Sequence, residues 1–168
     1  PAESPLTFPT KNTKQIKELE VAAAAYLAAI IDGEGSVTIS MDKRRFLLSP
    51  SLGISNTDER IVDYVKSQLP ILYWPENPSN SNGLVRSRRP IWRMSLNGLV
   101  VGKTLKQIVP YMTAKKARSE AVMEFCQIAL DREWWHEKQE KYTARQIELF
   151  LFVRQENARL GNEWFQSK

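Results

Sequence analysis

The chain reads as a single α+β domain in which helices alternate with antiparallel strand pairs. Three observations predict this. An alanine-rich apolar run at 21–31 ends in two acids and two glycines, Asp32-Gly33-Glu34-Gly35. The period then drops to two: Val37, Ile39 and Met41 alternate with Ser36, Thr38, Ser40 and Asp42, the pattern of a half-buried strand. The helix-strand-strand pattern recurs once before the chain turns wholly helical, giving an order of helix, two strands, helix, two strands, helices. A length of 168 residues suits one domain. Residues 1–13, with prolines at Pro1, Pro5 and Pro9, read as an N-terminal arm. Residues 14–168 are the domain, with a C-terminal helical extension from about 131.

Each element has its own signals. The first helix spans Lys14 to Ile31, and Gly33 and Gly35 release the chain. After the first strand, Lys43-Arg44-Arg45 makes a basic turn. A second strand, 46–55, puts Leu48, Leu52 and Ile54 on one face and Ser49, Ser51, Gly53 and Ser55 on the other. Pro50 cannot donate to a ladder, which implies an edge strand or a bulge. Asn56 and Glu59 form an Asn-x-x-Glu helix start. Ile61, Val62, Val65 and Leu69 are the buried stripe, and Pro70 closes it. Residues 75–83 are a loop. A strand at 71–74 or at 84–89 pairs with one at 91–96, where Trp92, Met94 and Leu96 alternate with Ile91, Arg93 and Ser95.

A helix at about 98–109 closes at Pro110. Thr113 begins the next, with Ala117, Ala121, Val122 and Phe125 inward. Thr143 with Gln146 opens the last helix, and Gly161 stops it. Met112, Phe125 and the Trp134-Trp135 pair read as packing. Tyr142, Phe150 and Phe152 pack the last helix on the core or reach a second chain.

The net charge of +5 biases the chain toward acidic partners, nucleic acid above all. Arg86, Arg88, Arg89 and Arg93 cluster, followed by Lys103, Lys106, Lys115, Lys116 and Arg118. The acids Asp131, Glu133, Glu137 and Glu140 fall later, which suggests separate faces for phosphate and for water. The lone Cys126 excludes an intrachain disulfide framework and points to a reducing compartment. With a single His136, zinc sites built on several cysteines or histidines are also excluded. Oxygen ligands for a hard cation such as magnesium remain. The apolar run at 21–31 is too short to span a bilayer and ends in acids rather than a cleavage site.

Those acids sit against the negative end of the helix macrodipole, so a positive neighbour is called for, and a divalent cation would serve. Ala22, Ala25, Ala29 and Gly33 recur at spacings of three and four, a stripe that admits a second helix backbone very closely. If that helix belongs to a second copy, two Glu34 carboxylates meet at the seam, and shared metal ions offset their repulsion. The plainer alternative is a buried alanine-rich helix with a glycine cap.

On the open sheet face, a two-stranded ribbon of alternating polar side chains fits the major groove of DNA. Thr38, Ser40, Asp42 and Arg44 are first-strand candidates for DNA contact, Ser49 and Ser51 come from the second strand, and Arg86, Arg88, Arg93 and Ser95 from the second hairpin.

Leu27-Ala28-Ala29-Ile30-Ile31-Asp32-Gly33-Glu34-Gly35 resembles the signature of the LAGLIDADG homing endonucleases. Ala29 stands where that family usually has glycine, and Glu34 where it usually has a second aspartate. With the doubled helix-strand-strand unit, the resemblance covers about residues 20–125. It implies a saddle-shaped sheet and, from the single signature, a homodimer joined through Ala22, Ala25, Ala29, Asp32 and Gly33. The implied activity is magnesium-dependent hydrolysis of double-stranded DNA at a long, near-palindromic site. Glu34 becomes the metal ligand with the Gly33 carbonyl beside it, and Asp32 accepts hydrogen bonds from the partner-helix region. Lys115, following the Pro110-Tyr111 turn, becomes the cation near the scissile phosphate. Asn56 and Arg60 order solvent around the metals, although an N-cap would use the same Asn56 side chain. A non-catalytic intron RNA maturase or DNA-binding regulator on the same fold is the alternative. An intron-encoded protein of a mitochondrion or plastid is the setting the family suggests.

Overall fold

The computed structural model describes residues 16–76, 91–131 and 142–166. Its elements are α1 (Val21–Glu34), β1 (Gly35–Asp42), β2 (Leu47–Asn56), α2 (Glu59–Gln68), β3 (Leu72–Glu76), β4 (Ile91–Asn97), α3 (Val100–Ile108), a 3-10 turn (Val109–Tyr111), α4 (Lys116–Asp131) and α5 (Ala144–Gln166). The fold is α+β. Its four strands form one antiparallel sheet in the order β1-β2-β4-β3.

Period-two alternation divides the sheet into two faces. Val37, Ile39, Leu52, Ile54, Met94 and Leu96 are buried, in one core with Leu27 and Ile31 of α1, Leu105 and Ile108 of α3 and Phe125 of α4. The opposite face carries Ser36, Thr38 and Ser40, then Ser49, Ser51 and Ser55, then Arg93 and Ser95. The strand at 71–74 is thus the partner of β4; the alternative at 84–89 lies outside the described residues. Arg86, Arg88, Trp134, Trp135 and His136 lie there too.

Several boundaries differ from the sequence expectation. α1 starts at Val21, seven positions after Lys14, because the Leu19 N–H donates to Gln107 Oε1 at 2.7 Å and holds the preceding segment against α3. It continues past Ile31 to Glu34, so both acids lie in its last turn. The Gly35 N–H closes on the Ile31 carbonyl, and a Cβ at 35 would stand 2.7 Å from that oxygen. Only glycine fits this joint between helix and strand.

Pro50 lies in an interior strand, not at an edge or bulge. Its carbonyl accepts the Gly98 N–H at 2.9 Å, so its backbone polar side faces β4. The β2–β4 ladder stops at Ser51 opposite Asn97. The missing N–H therefore falls just beyond the ladder, where no bond is lost.

The N-cap of α2 is Asp58, whose carboxylate accepts the Arg60 N–H; Asn56 instead accepts the Asp58 N–H at 2.8 Å. α4 begins at Lys116, three residues after Thr113, and Ala117 faces solvent while Ala121, Val122 and Phe125 are buried. Thr143 and Gln146 form the expected reciprocal cap, each side chain accepting the other's backbone N–H at 3.1 Å. α5 runs through Gly161 rather than stopping there; an interior glycine costs about 1 kcal/mol relative to alanine, which a long helix can absorb. Phe150 is buried and Phe152 exposed. The Tyr142 hydroxyl accepts the Leu48 N–H at 2.6 Å, fastening the start of α5 to β2.

α3 and α4 cross closely at Gly102, where an added Cβ would lie 2.4 Å from Cys126 Cβ. Burial pushes the Cys126 thiol up to about 12. Gly102→Ala is expected to destabilise the domain by about 1–3 kcal/mol through overpacking, read as a lower denaturant midpoint with unchanged slope. Among the described residues, no helix is long and apolar enough to cross a membrane.

Candidate active site and nucleic-acid interface

α1 is apolar nearly all round, yet only one side is covered. Ala24, Leu27, Ala28 and Ile31 are buried. Ala22, Ala29 and Gly33 are exposed and Ala25 is half-buried. The small-residue stripe therefore lies on the outer face rather than in the core. A Cβ added at Gly33 would meet nothing within 4 Å.

The two acids of the last turn have separate tasks. Asp32 Oδ2 accepts the N–H groups of Thr113 at 2.6 Å and Ala114 at 3.1 Å, and Oδ1 accepts that of Lys115 at 2.9 Å. These N–H groups precede the first turn of α4, so a side chain from α1 satisfies donors at the entry to α4. Burial works to raise the carboxyl's pKa, but the three hydrogen bonds and the Lys115 charge outweigh it and hold Asp32 below the ordinary carboxylate value. Asp32 was expected to accept bonds from a partner helix; the bonds come from its own chain. No local pattern could have revealed donors more than 80 residues away.

Lys115 reciprocates. Its Nζ donates to the carbonyls of Ile31 at 2.8 Å and Asp32 at 2.6 Å. A cation at the C-terminal end of α1 answers the macrodipole, so the positive neighbour called for by the acids is supplied by the chain itself. Burial and the nearby Arg118 push the Lys115 pKa down, against the charges of Asp32 and Glu34.

Glu34 is exposed and makes no hydrogen bond or ion pair with another described side chain. No cluster of three or more His, Cys, Asp or Glu able to hold a metal occurs among the described residues. Glu34 and the Gly33 carbonyl offer hard oxygen donors that suit magnesium, but they make only part of a coordination shell.

Asn56 and Arg60 stand at this end of the sheet, since Gly35 pairs with Ile54. Both are engaged within the chain. Asn56 Oδ1 accepts from Asp58, and Arg60 forks onto the same Asp58 carboxylate through Nε at 3.0 Å and Nη2 at 2.6 Å.

The open sheet face collects most of the expected contact residues. Thr38 pairs with Ser51, Ser40 with Ser49, Gly53 with Ser95 and Ser55 with Arg93. Asp42 is used locally: its Oδ1 accepts the N–H groups of Arg44 and Arg45 and closes the β1–β2 turn. Arg44 is exposed on that turn.

No family model matches the chain, and no curated protein matches it. Solved structures do. The homing endonuclease I-CvuI, in complex with the I-CreI target DNA in the presence of magnesium, superposes with a TM-score of 0.50 at 16% identity, over 83% of this chain and 95% of that one. The LAGLIDADG meganuclease I-AabMI, bound to uncleaved DNA, superposes with a TM-score of 0.50 at 18% identity, over 77% of this chain and 43% of that one. The chain has the LAGLIDADG endonuclease fold.

Within the LAGLIDADG fold, the structure adds residues that sequence reasoning missed. Arg118 belongs by sequence to the basic run expected on a phosphate-binding face, but it is only 6% exposed. Its Nη1 donates to Asn157 Oδ1, and Asn157 Nδ2 donates to Thr38 Oγ1 at 3.4 Å. The chain of contacts links α4, α5 and β1 through a residue expected to touch DNA. Burial pushes the Arg118 pKa down, while the charges of Glu156 and Asp32 favour its charged form. Leu72 and Trp74 were also missed. They are 60% and 45% exposed, and they pair with Ser95 and Arg93 on the open face. Their side could be assigned only once 72–76 was known to pair with β4.

Proposed function

We propose that two copies of this chain form a metal-dependent, sequence-specific endonuclease for double-stranded DNA. The observation that carries this reading is the division of labour in one helical turn. Asp32 is saturated by its own chain, while Glu34 is left exposed at the end of an exposed small-residue stripe. Packing of that stripe on its copy would bring two Glu34 carboxylates and two Gly33 carbonyls together as oxygen donors for a hard cation, with water in its remaining positions. Magnesium held by these oxygens would supply Lewis-acid chemistry, a water of lowered pKa and stabilisation of the departing oxygen.

The remaining roles belong to the chain. Asp32 and Lys115 fix the end of α1 and so aim Glu34. The Lys115 ammonium lies beside Glu34, where it offsets charge developing on a scissile phosphate. Asn56 and Arg60, at the same end of the sheet, order solvent there. The open face of Thr38, Ser40, Ser49, Ser51, Arg93 and Ser95 meets base edges and phosphates in the major groove. Net charge favours the encounter. The DNA complexes of I-CvuI and I-AabMI support a DNA partner for the same fold.

The test is selection from a randomised duplex library in magnesium and, in parallel, in calcium. Cuts at one recurring near-palindromic site in magnesium, with binding alone in calcium, are the expected result. Retention of DNA without cuts in either metal would make the chain a DNA-binding regulator or an RNA maturase. Ala29→Glu, on the exposed stripe, is expected to yield a folded monomer by sedimentation, because the charge has no place in a close helix seam. A dimer unchanged by Ala29→Glu would overturn the proposed seam.

A further inference from the structure

The β1–β2 hairpin ends in an apolar side chain that its backbone does not favour. Residues 43–46 form the turn, ordered by Asp42, whose carboxylate accepts the Arg44 N–H at 2.9 Å and the Arg45 N–H at 3.3 Å. Phe46 follows with φ +49°, in the left-handed region that bulky side chains rarely enter and that glycine or asparagine occupies more easily. The other described residue with positive φ, Gly98, is a glycine. The Phe46 side chain is also 72% exposed, so burial in the core does not offset the strain. Lys43, Arg44 and Arg45 beside it are exposed cations, and Leu47, 40% exposed, continues the apolar surface onto the open face opposite Asp42.

An exposed aromatic ring on a strained backbone, next in sequence to three cations and at the end of a hydroxyl-lined ribbon, matches a nucleic-acid groove: phosphate for the cations and an apolar feature for the ring. In the major groove the only apolar group on a base edge is the thymine 5-methyl. We infer that Phe46 is a specificity-determining residue that packs on a thymine methyl toward the outer end of each half-site, an inference that rests on the DNA-binding reading above. The position follows from the strand. β1 runs eight residues from beside Glu34 to the turn, roughly 25 Å at strand rise, or about seven base pairs at 3.4 Å each.

The experiment uses the full chain and its Phe46→Asn variant, each taken through selection on a randomised duplex library. Asparagine accepts the left-handed backbone, so the variant is expected to melt at or above wild type. Wild type should select thymine about seven base pairs from the centre of the site, and the variant should not. Replacing that thymine by uracil removes only the methyl. It should weaken wild-type binding about fourfold, the worth of one buried methyl group, and leave the variant unchanged. A variant with wild-type base preference and wild-type sensitivity to uracil would overturn the inference. So would a lower melting temperature, which would give the ring a structural task. Wild-type binding with no thymine preference near that position would refute the role of Phe46 alone, whereas wild type selecting no duplex would overturn the DNA reading itself.

Discussion

Glu34→Gln is expected to give a folded dimer that retains DNA but no longer cuts it. The carboxylate is exposed and makes no hydrogen bond with another described side chain, so the amide disturbs no packing. In the proposed dimer it removes the charged metal ligand that each chain would contribute. Losing such a ligand forfeits several kcal/mol of transition-state stabilisation, roughly a thousandfold or more in rate. Single-turnover cleavage and calcium-supported binding, measured on the same preparation, separate the two effects. Loss of both cleavage and binding would give Glu34 a structural task instead.

Asp32→Ala is expected to act on stability, two positions away. It leaves the N–H groups of Thr113, Ala114 and Lys115 without their carboxylate and should cost about 2 kcal/mol, a fall of roughly 5 °C in melting temperature for a domain of this size. The pH dependence has a definite sign. The folded-state pKa of Asp32 lies below its ordinary value of 3.8, so the unfolded chain takes up the proton first as pH falls. The stabilisation is complete above the ordinary pKa and disappears as pH drops through the lower folded value. The difference in stability between wild type and Asp32→Ala should therefore be constant near neutrality and shrink below about pH 4. A difference that persists unchanged in acid would show that the side chain acts by packing rather than by charge.

The contrast between these neighbours marks where local pattern stops being informative. Strand faces were legible because alternation at 36–42 and 91–96 has one period whatever the strand packs on. The cap at Thr143 and Gln146 was legible because donor and acceptor are three residues apart. Asn56 was harder: Asn56 and Asp58 are both good caps, and the choice turned on which one the backbone of Glu59 and Arg60 could reach. Pro50 misled because an interior proline is tolerated where a neighbouring strand ends, and that end lies at Asn97. Arg118 misled for a similar reason: its burial depends on Asn157, far along the chain. In the acid turn, residue type identified both carboxylates as important, but only tertiary placement distinguished the structural one from the exposed one.

The strap between α1 and the entry to α4 also dictates an order of events during synthesis. Asp32 and the carbonyls beside it wait for partners 81 to 84 residues downstream. At ribosomal rates of about 5–20 residues per second, several seconds pass before those partners are made. Until then the acidic turn lacks its counter-cation and the donors that hold Asp32, and joining them requires closing a long loop. A nascent or prematurely terminated chain thus displays the acids without the framework that aims them. The acidic turn takes its final form only after the chain has been made past Lys115.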